Sequence, residues 1–290
     1  MEQAINKHTM AQKLRTYKNS PQSFLLLSAV LLSAAITVFV LFFLVAYILI
    51  KGVGYLSPDI FAWQYNSENV SMMPAIVNTL SMTALSLLFA VPVGVFAAVY
   101  LVEYARQDNK LVGVIRITAE TLSGIPSIVY GLFGFLMFVI YFGLGYTLLG
   151  GALTLAIMIL PLIMRTTEEA LKAVPDTYRE GSYGLGAGRL RTIFRIVLPS
   201  AAPGILAGVI LGIGRIVGET AALLYTAGTV AGIPATVMDS GRTLSVHMYA
   251  LLSEGLYTDQ AYATAVVLLL MVAVINMISG AIAKRVALGN

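Results

Sequence analysis

The chain contains no cysteine, which excludes disulfides, thiolate metal sites and cysteine nucleophiles. Its two histidines, His8 and His247, lie far apart in polar segments, so no histidine-based metal site is expected. Charge is scarce too: 11% of residues are Asp, Glu, Lys or Arg, against about a quarter in an ordinary soluble domain. With 58% apolar residues there is too little polar surface to cover a water-facing fold. Lipid must solvate much of the chain. No G-x-x-x-x-G-K-[ST] run occurs, so a phosphate-cradling nucleotide loop is missing. Gly184, Gly186 and Gly188 do not have the spacing of a dinucleotide turn and follow no strand.

What is present is a series of long apolar runs. Residues 24–50 carry no charge. A secretory signal has a shorter apolar core, about 7–15 residues, so this stretch reads as an uncleaved first spanning helix. Further spans are expected at about 75–102, 126–146, 151–167, 202–227 and 262–282. The fourth is interrupted by Pro161 and meets Arg165 early. Backbone groups in lipid must be satisfied internally, and the alternation of a barrel strand is absent. The fold class is therefore all-α, a polytopic transmembrane bundle of about six spans.

Lys and Arg alternate between connections. Lys7, Lys13, Arg15 and Lys18 precede the first span, and Arg106, Lys110 and Arg116 follow the second. The stretch from Arg165 to Pro199 is the richest, and Lys284 and Arg285 close the chain. The intervening connections hold only Lys51 and Arg242. Positively charged connections stay in the cytoplasm. This predicts a cytoplasmic N-terminal tail (1–23), a six-span domain (24–283) and a cytoplasmic C-terminal tail (284–290). Tyr55, Phe61, Trp63 and Tyr65 then lie outside as interfacial anchors. The outer loop 228–261 is a candidate contact for an external partner by location alone.

The connection at about 168–199 is the most informative. Pro175 can open a helix, and Gly184, Gly186 and Gly188 break it. A second short helix fits Arg189 to Val197, with Leu190, Ile193, Phe194 and Val197 on one face and Pro199 discouraging continuation. Two readings stand: a docking element for a partner, or an interfacial helix pair held by its arginines.

Span five places Arg215 near its middle, at an insertion cost of about 2.5–3.5 kcal/mol, with Glu219 four residues on and on the same helical face. The two are either a mutually neutralising pair or a polar face on a substrate path; intramembrane charges favour the second. Gly204, Gly208 and Gly212, and likewise Gly214 and Gly218, are spaced to let another helix approach closely. Arg165 either snorkels to the headgroups or lies deeper, with Thr166 and Thr167 beside it as donors to an anion. Ser127, just after the break at Pro126, begins a helix whose N-terminus favours an anion. A guanidinium binds phosphate oxygens in a fork, and a carboxylate can accept the proton of a protonated phosphate.

Glu180, Gly186, Ile196, Leu198 and Pro199 stand at the spacing of the cytoplasmic motif of permease subunits of binding-protein-dependent ABC importers. Gly181 and Ser182 replace that motif's two alanines, which weakens the helix there. The run from Ser123 to Gly134, and Gly214-Arg215 with the run Gly218 to Leu223, resemble segments of PstA-type phosphate importer permeases. The likeness covers about 75–282. It implies the type I ABC importer permease fold, in a bacterial inner membrane. It implies a coupling helix seated on an ATPase, with Glu180, Gly181 and Ser182 at the contact and Gly186 as the hinge. Arg215 and Glu219 would line the path, with Arg165, Thr166 and Ser127 as further contacts. The implied partners are a second related permease, two ATPase subunits carrying ATP and Mg, and an extracytoplasmic phosphate-binding protein. No cofactor on this chain and no enzymatic activity of its own are implied. An oxyanion importer for sulfate or molybdate, and an ion-coupled secondary transporter, are the alternatives.

Overall fold

The computed structural model describes residues 21–106 and 109–288. His8, Lys7, Lys13, Arg15 and Lys18 of the expected N-terminal tail lie outside the described residues, as do Gly289 and Asn290 of the C-terminal one. The described residues form helices and no strand. The first helix, α1 (Pro21–Gly52), is a body of its own, with ring stacking of Phe39 on Phe43 and Phe43 on Tyr47 along one side. Its apolar residues occupy the whole circumference, as a lipid-solvated helix requires.

The remaining body comprises α2 (Met73–Tyr104), α3 (Lys110–Ser123), α4 (Ser127–Tyr141), α5 (Leu148–Lys172), α6 (Asp176–Gly184), α7 (Arg189–Val217), α8 (Ala221–Thr226), α9 (Leu244–Glu254) and α10 (Thr258–Leu288). α5 is its centre. Expected as the shortest span (151–167), it runs unbroken from Leu148 through Pro161 to Lys172, flanked by α2 on one side and α7 on another. Leu155, Ile159, Ile163 and Leu171 are fully enclosed. Protein rather than lipid surrounds it, so freed backbone groups at Pro161 are tolerated.

The third and fifth spans differ from expectation. α3 and α4 meet at a bend of 104°, at the Gly124-Ile125-Pro126 break. Pro126 forces extended backbone before it and cannot donate to a helix (φ −58°, ψ 141°). α7 starts at Arg189, well before the expected 202, so no separate short helix ends at Pro199. A π turn over Ile193–Val197 widens the helix just ahead of Pro199 and lets it continue. At its other end α7 stops at Val217, and Gly218, Glu219 and Thr220 break the expected span before α8 begins.

The glycine stripe on α7 faces α5. A Cβ on Gly204 would strike Ala170, one on Gly208 would overlap Thr166, and one on Gly212 would press Ile163. Small residues in that row let the two backbones approach. Gly214 and Gly218 do not share this role; Gly214 faces open space. The expected outer loop 228–261 is not a loop throughout: it contains α9, too short at 11 residues to span a bilayer but packed against α10. His247, read from sequence as lying in a polar segment, is fully buried in α9.

Candidate functional site

Arg215 sits in the last turn of α7, half-buried, and no ion pair joins it to a carboxylate among the described residues. Its charge reaches Tyr130 of α4. The Tyr130 hydroxyl donates across the α3–α4 bend to the Leu122 carbonyl at 2.8 Å, fixing the start of α4 where half-buried Ser127 stands. Tyr130 lies within the Ser123–Gly134 run and has no role assigned from sequence; an aromatic hydroxyl within an apolar span is the signal that could have found it.

Glu219 is not on the helical face of Arg215. It lies past the end of α7, 8% exposed, and its Oε1 accepts the Ala222 N–H at 3.0 Å at the start of α8. The expected i, i+4 pair is therefore not formed, because Gly218 ends the helix between the two residues. α8 packs closely on α4: a Cβ at Gly131 would strike the Ala222 backbone. The break thus holds an arginine and a carboxylate separately: Arg215 near Tyr130 of α4, and Glu219 at the start of α8, which itself packs on α4. Two separately held groups of opposite sign can engage one protonated anion, donating at the guanidinium and accepting at the carboxylate.

Arg165 and Thr166 are placed elsewhere. Arg165 is 55% exposed and pairs with Glu120 (3.5 Å) and Glu169 (3.3 Å). Beside it Glu168 lies 2.7 Å from Arg116 and 2.6 Å from Lys172. These six residues alternate in sign along a groove between α3 and α5. Thr166 donates back to Leu162 and packs on Gly208, so its hydroxyl serves the helix contact. Thr167 is fully buried and its hydroxyl has no partner among the described residues.

The α5–α7 connection is built as two tied helices. α6 ends in a Schellman closure: Ala187 N–H bonds Ser182 O (3.1 Å), Gly186 N–H bonds Tyr183 O (2.9 Å), and Gly186 takes φ +81°. Only glycine adopts that left-handed backbone without cost. Ser182 is buried and its hydroxyl meets that of Thr192 at 2.8 Å, clasping α6 to α7; Gly181 and Glu180 are exposed. Arg179, unassigned from sequence, donates through Nε (3.1 Å) and Nη2 (2.8 Å) to Glu103 of α2, and to the carbonyls of Leu171 and Val174. Arg189 covers the ring of Tyr104 at 4.7 Å. Of the expected apolar face, Ile193 and Val197 are buried, whereas Leu190 and Phe194 are exposed together with Leu185.

Residues 90–288 match the family described as the binding-protein-dependent transport system inner membrane component. The chain is 36% identical to the probable ABC transporter permease protein YqgI of Bacillus subtilis, over 85% of this chain and 90% of that one. It is 36% identical to the phosphate transport system permease protein PstA of Mycobacterium leprae, over 71% of this chain and 68% of that protein. Among solved structures, a bacterial alginate ABC transporter in complex with its alginate-bound periplasmic protein aligns over 94% of this chain and 98% of that chain, with TM-score 0.69 and 19% identity. The inward-facing MetNI methionine ABC transporter aligns over 73% and 93%, with TM-score 0.59 and 21% identity. These likenesses assign the type I ABC importer permease fold to a multi-pass membrane protein. The chain belongs to the inner-membrane permease family of binding-protein-dependent transport systems.

Proposed function

We propose that this permease carries phosphate inward as half of the translocation path of an ATP-driven importer. The observation that carries the reading is Arg215: a half-buried guanidinium at the break of a spanning helix, unpaired with any carboxylate among the described residues. Such a charge is costly in an apolar span unless its task is to meet an anion. Glu219, buried across the break, supplies the acceptor for the proton of hydrogen phosphate. A relative bearing the name phosphate transport system permease supports that choice of anion.

The basic end of the bundle then faces the cytoplasm with both termini, in the bacterial inner membrane. The α6 corner, with exposed Glu180, Leu185, Leu190 and Phe194, seats an ATPase subunit, which binds ATP and Mg. A second related permease completes the path, and an extracytoplasmic phosphate-binding protein delivers the anion. The open face at Gly214 suits the approach of that second permease or of the anion itself. Ser127, at the start of α4, is a secondary contact. Arg165, engaged by two carboxylates, steadies the groove between α3 and α5 and leaves the anion to Arg215.

The test is phosphate uptake by the assembled complex. Arg215→Ala is expected to lower uptake by about tenfold to a hundredfold, the worth of one or two charge-assisted hydrogen bonds, with normal assembly. Unchanged uptake sinks the proposal. Failure of the complex to assemble would mark Arg215 as a structural residue.

A further inference from the structure

Charged chemistry unrelated to Arg215 collects where the chain enters α9. Arg242 is 5% exposed, and its Cζ lies 4.6 Å over the face of the Tyr65 ring. Neither Nε nor Nη2 finds a protein hydrogen-bond partner, and no carboxylate pairs with the side chain among the described residues. His247, fully buried, stands edge-on to the same ring, with centroids 6.2 Å apart and planes at 90°. Among the described residues neither of its nitrogens has a well-aligned hydrogen-bond partner, although the Val70 backbone is close enough to act on the imidazole.

The backbone around these groups is firmly held. Asn78 donates to the carbonyls of Arg242 and Gly232, and the Arg242 N–H bonds the Val230 carbonyl. Ser245 donates to the backbone carbonyl of Glu219, so the cluster is linked to the break described above. Tyr65 also walls a cavity with Trp63, Gln64, Pro74, Gly232 and Ile233.

Buried polar groups are almost always paired, and a guanidinium withdrawn from water without a counter-charge is strongly unfavourable. The arrangement therefore calls for a negative group, small enough to reach so enclosed a side chain. Burial, and then the Arg242 charge, push the His247 imidazole down to about 3, so it is neutral, with one donor and one acceptor nitrogen. A guanidinium edge beside a neutral imidazole matches a protonated oxyanion: the first donates to oxygens, and the second accepts a hydrogen bond from the anion's O–H or donates one to its oxygen.

We infer that Arg242 and His247, gathered around Tyr65, form a second binding site for a small oxyanion, separate from Arg215. The ligand class follows from the two side chains. That the oxyanion is phosphate rests on the function proposed above.

The test uses the assembled complex in lipid nanodiscs, titrated with inorganic phosphate, sulfate or chloride while thermal unfolding is followed. Arg215→Ala removes the first site. In that background a rise in Tm with phosphate, and none with chloride, is expected. Adding Arg242→Gln is expected to weaken the half-saturating concentration about tenfold or more, the loss of one charge-assisted pair. Should that variant not fold, Arg242→Lys, which keeps the charge without the fork, and His247→Asn give the same comparison. An equal response with and without these substitutions overturns the site, as does no oxyanion response in Arg215→Ala. A response to sulfate and none to phosphate upholds the site and counts against phosphate as the cargo.

Discussion

Arg179 and Arg242 are both largely enclosed, yet the structure treats them in opposite ways. Arg179, 14% exposed, has Glu103 at 2.8 Å and two backbone carbonyls in reach of its fork. Among the described residues Arg242 meets the face of Tyr65, and two of its nitrogens find no hydrogen-bond partner. A paired arginine is structure: its partners define where α6 sits relative to α2. An unpaired one is a demand on something outside the chain. Burial alone does not separate the two cases; the inventory of partners does.

The comparison breaks most readily at Glu103. Glu103→Ala leaves Arg179 with the exposed Asp176, 3.1 Å away, as its remaining carboxylate, and a loss of about 3 kcal/mol in stability is expected, read as a lowered unfolding midpoint of the purified complex. A loss near zero would put Arg179 in the same class as Arg242. The next effect is on pH. The folded-state pKa of His247 is depressed, from 6.5 to about 3, so its contribution to stability is fully present above 6.5 and is lost as pH falls toward 3. At about pH 5.5 the expected cost is about 1.4 kcal/mol, and His247→Gln should flatten that part of the stability profile. A profile indifferent to the substitution would show that His247 does not remain neutral in the fold. The smallest effect is expected at Arg165. Its pairs are solvent-exposed, so Arg165→Gln should cost less than about 1 kcal/mol and leave uptake near normal. A large loss of uptake would return Arg165 to the anion path.

Hydropathy was enough to read that the chain has five or six spanning helices, since long apolar runs follow from the physics of lipid, though the third and fifth are bounded differently. The Gly204–Gly208–Gly212 row was equally legible, and its partner proved to be α5. What the residues do not disclose is who surrounds whom. Pro161 and Arg165 made the fourth span look marginal, yet neighbours on several sides sustain it as the central helix. The separation of Arg215 from Glu219 turned on one residue, Gly218, which ends α7 although Gly204, Gly208, Gly212 and Gly214 lie inside the same helix, so glycine alone did not mark the stop. Of the face predicted for Leu190, Ile193, Phe194 and Val197, this chain encloses only Ile193 and Val197, since periodicity tells which residues are apolar and not which of them the chain itself covers. Arg242 and His247 were invisible as a pair, since only the fold of residues 228–247 brings both to Tyr65.

The closure at Gly186 carries a mechanical consequence. A corner whose amides are both bonded back into α6, whose Ser182 grips Thr192, and whose flanks are anchored at Glu103 and Tyr104 has little compliance. Load applied at the exposed tip around Leu185 is transmitted to α2 and α7 instead of being spent in bending the corner. Glycine here confers stiffness: it permits the one backbone conformation in which the turn can lock.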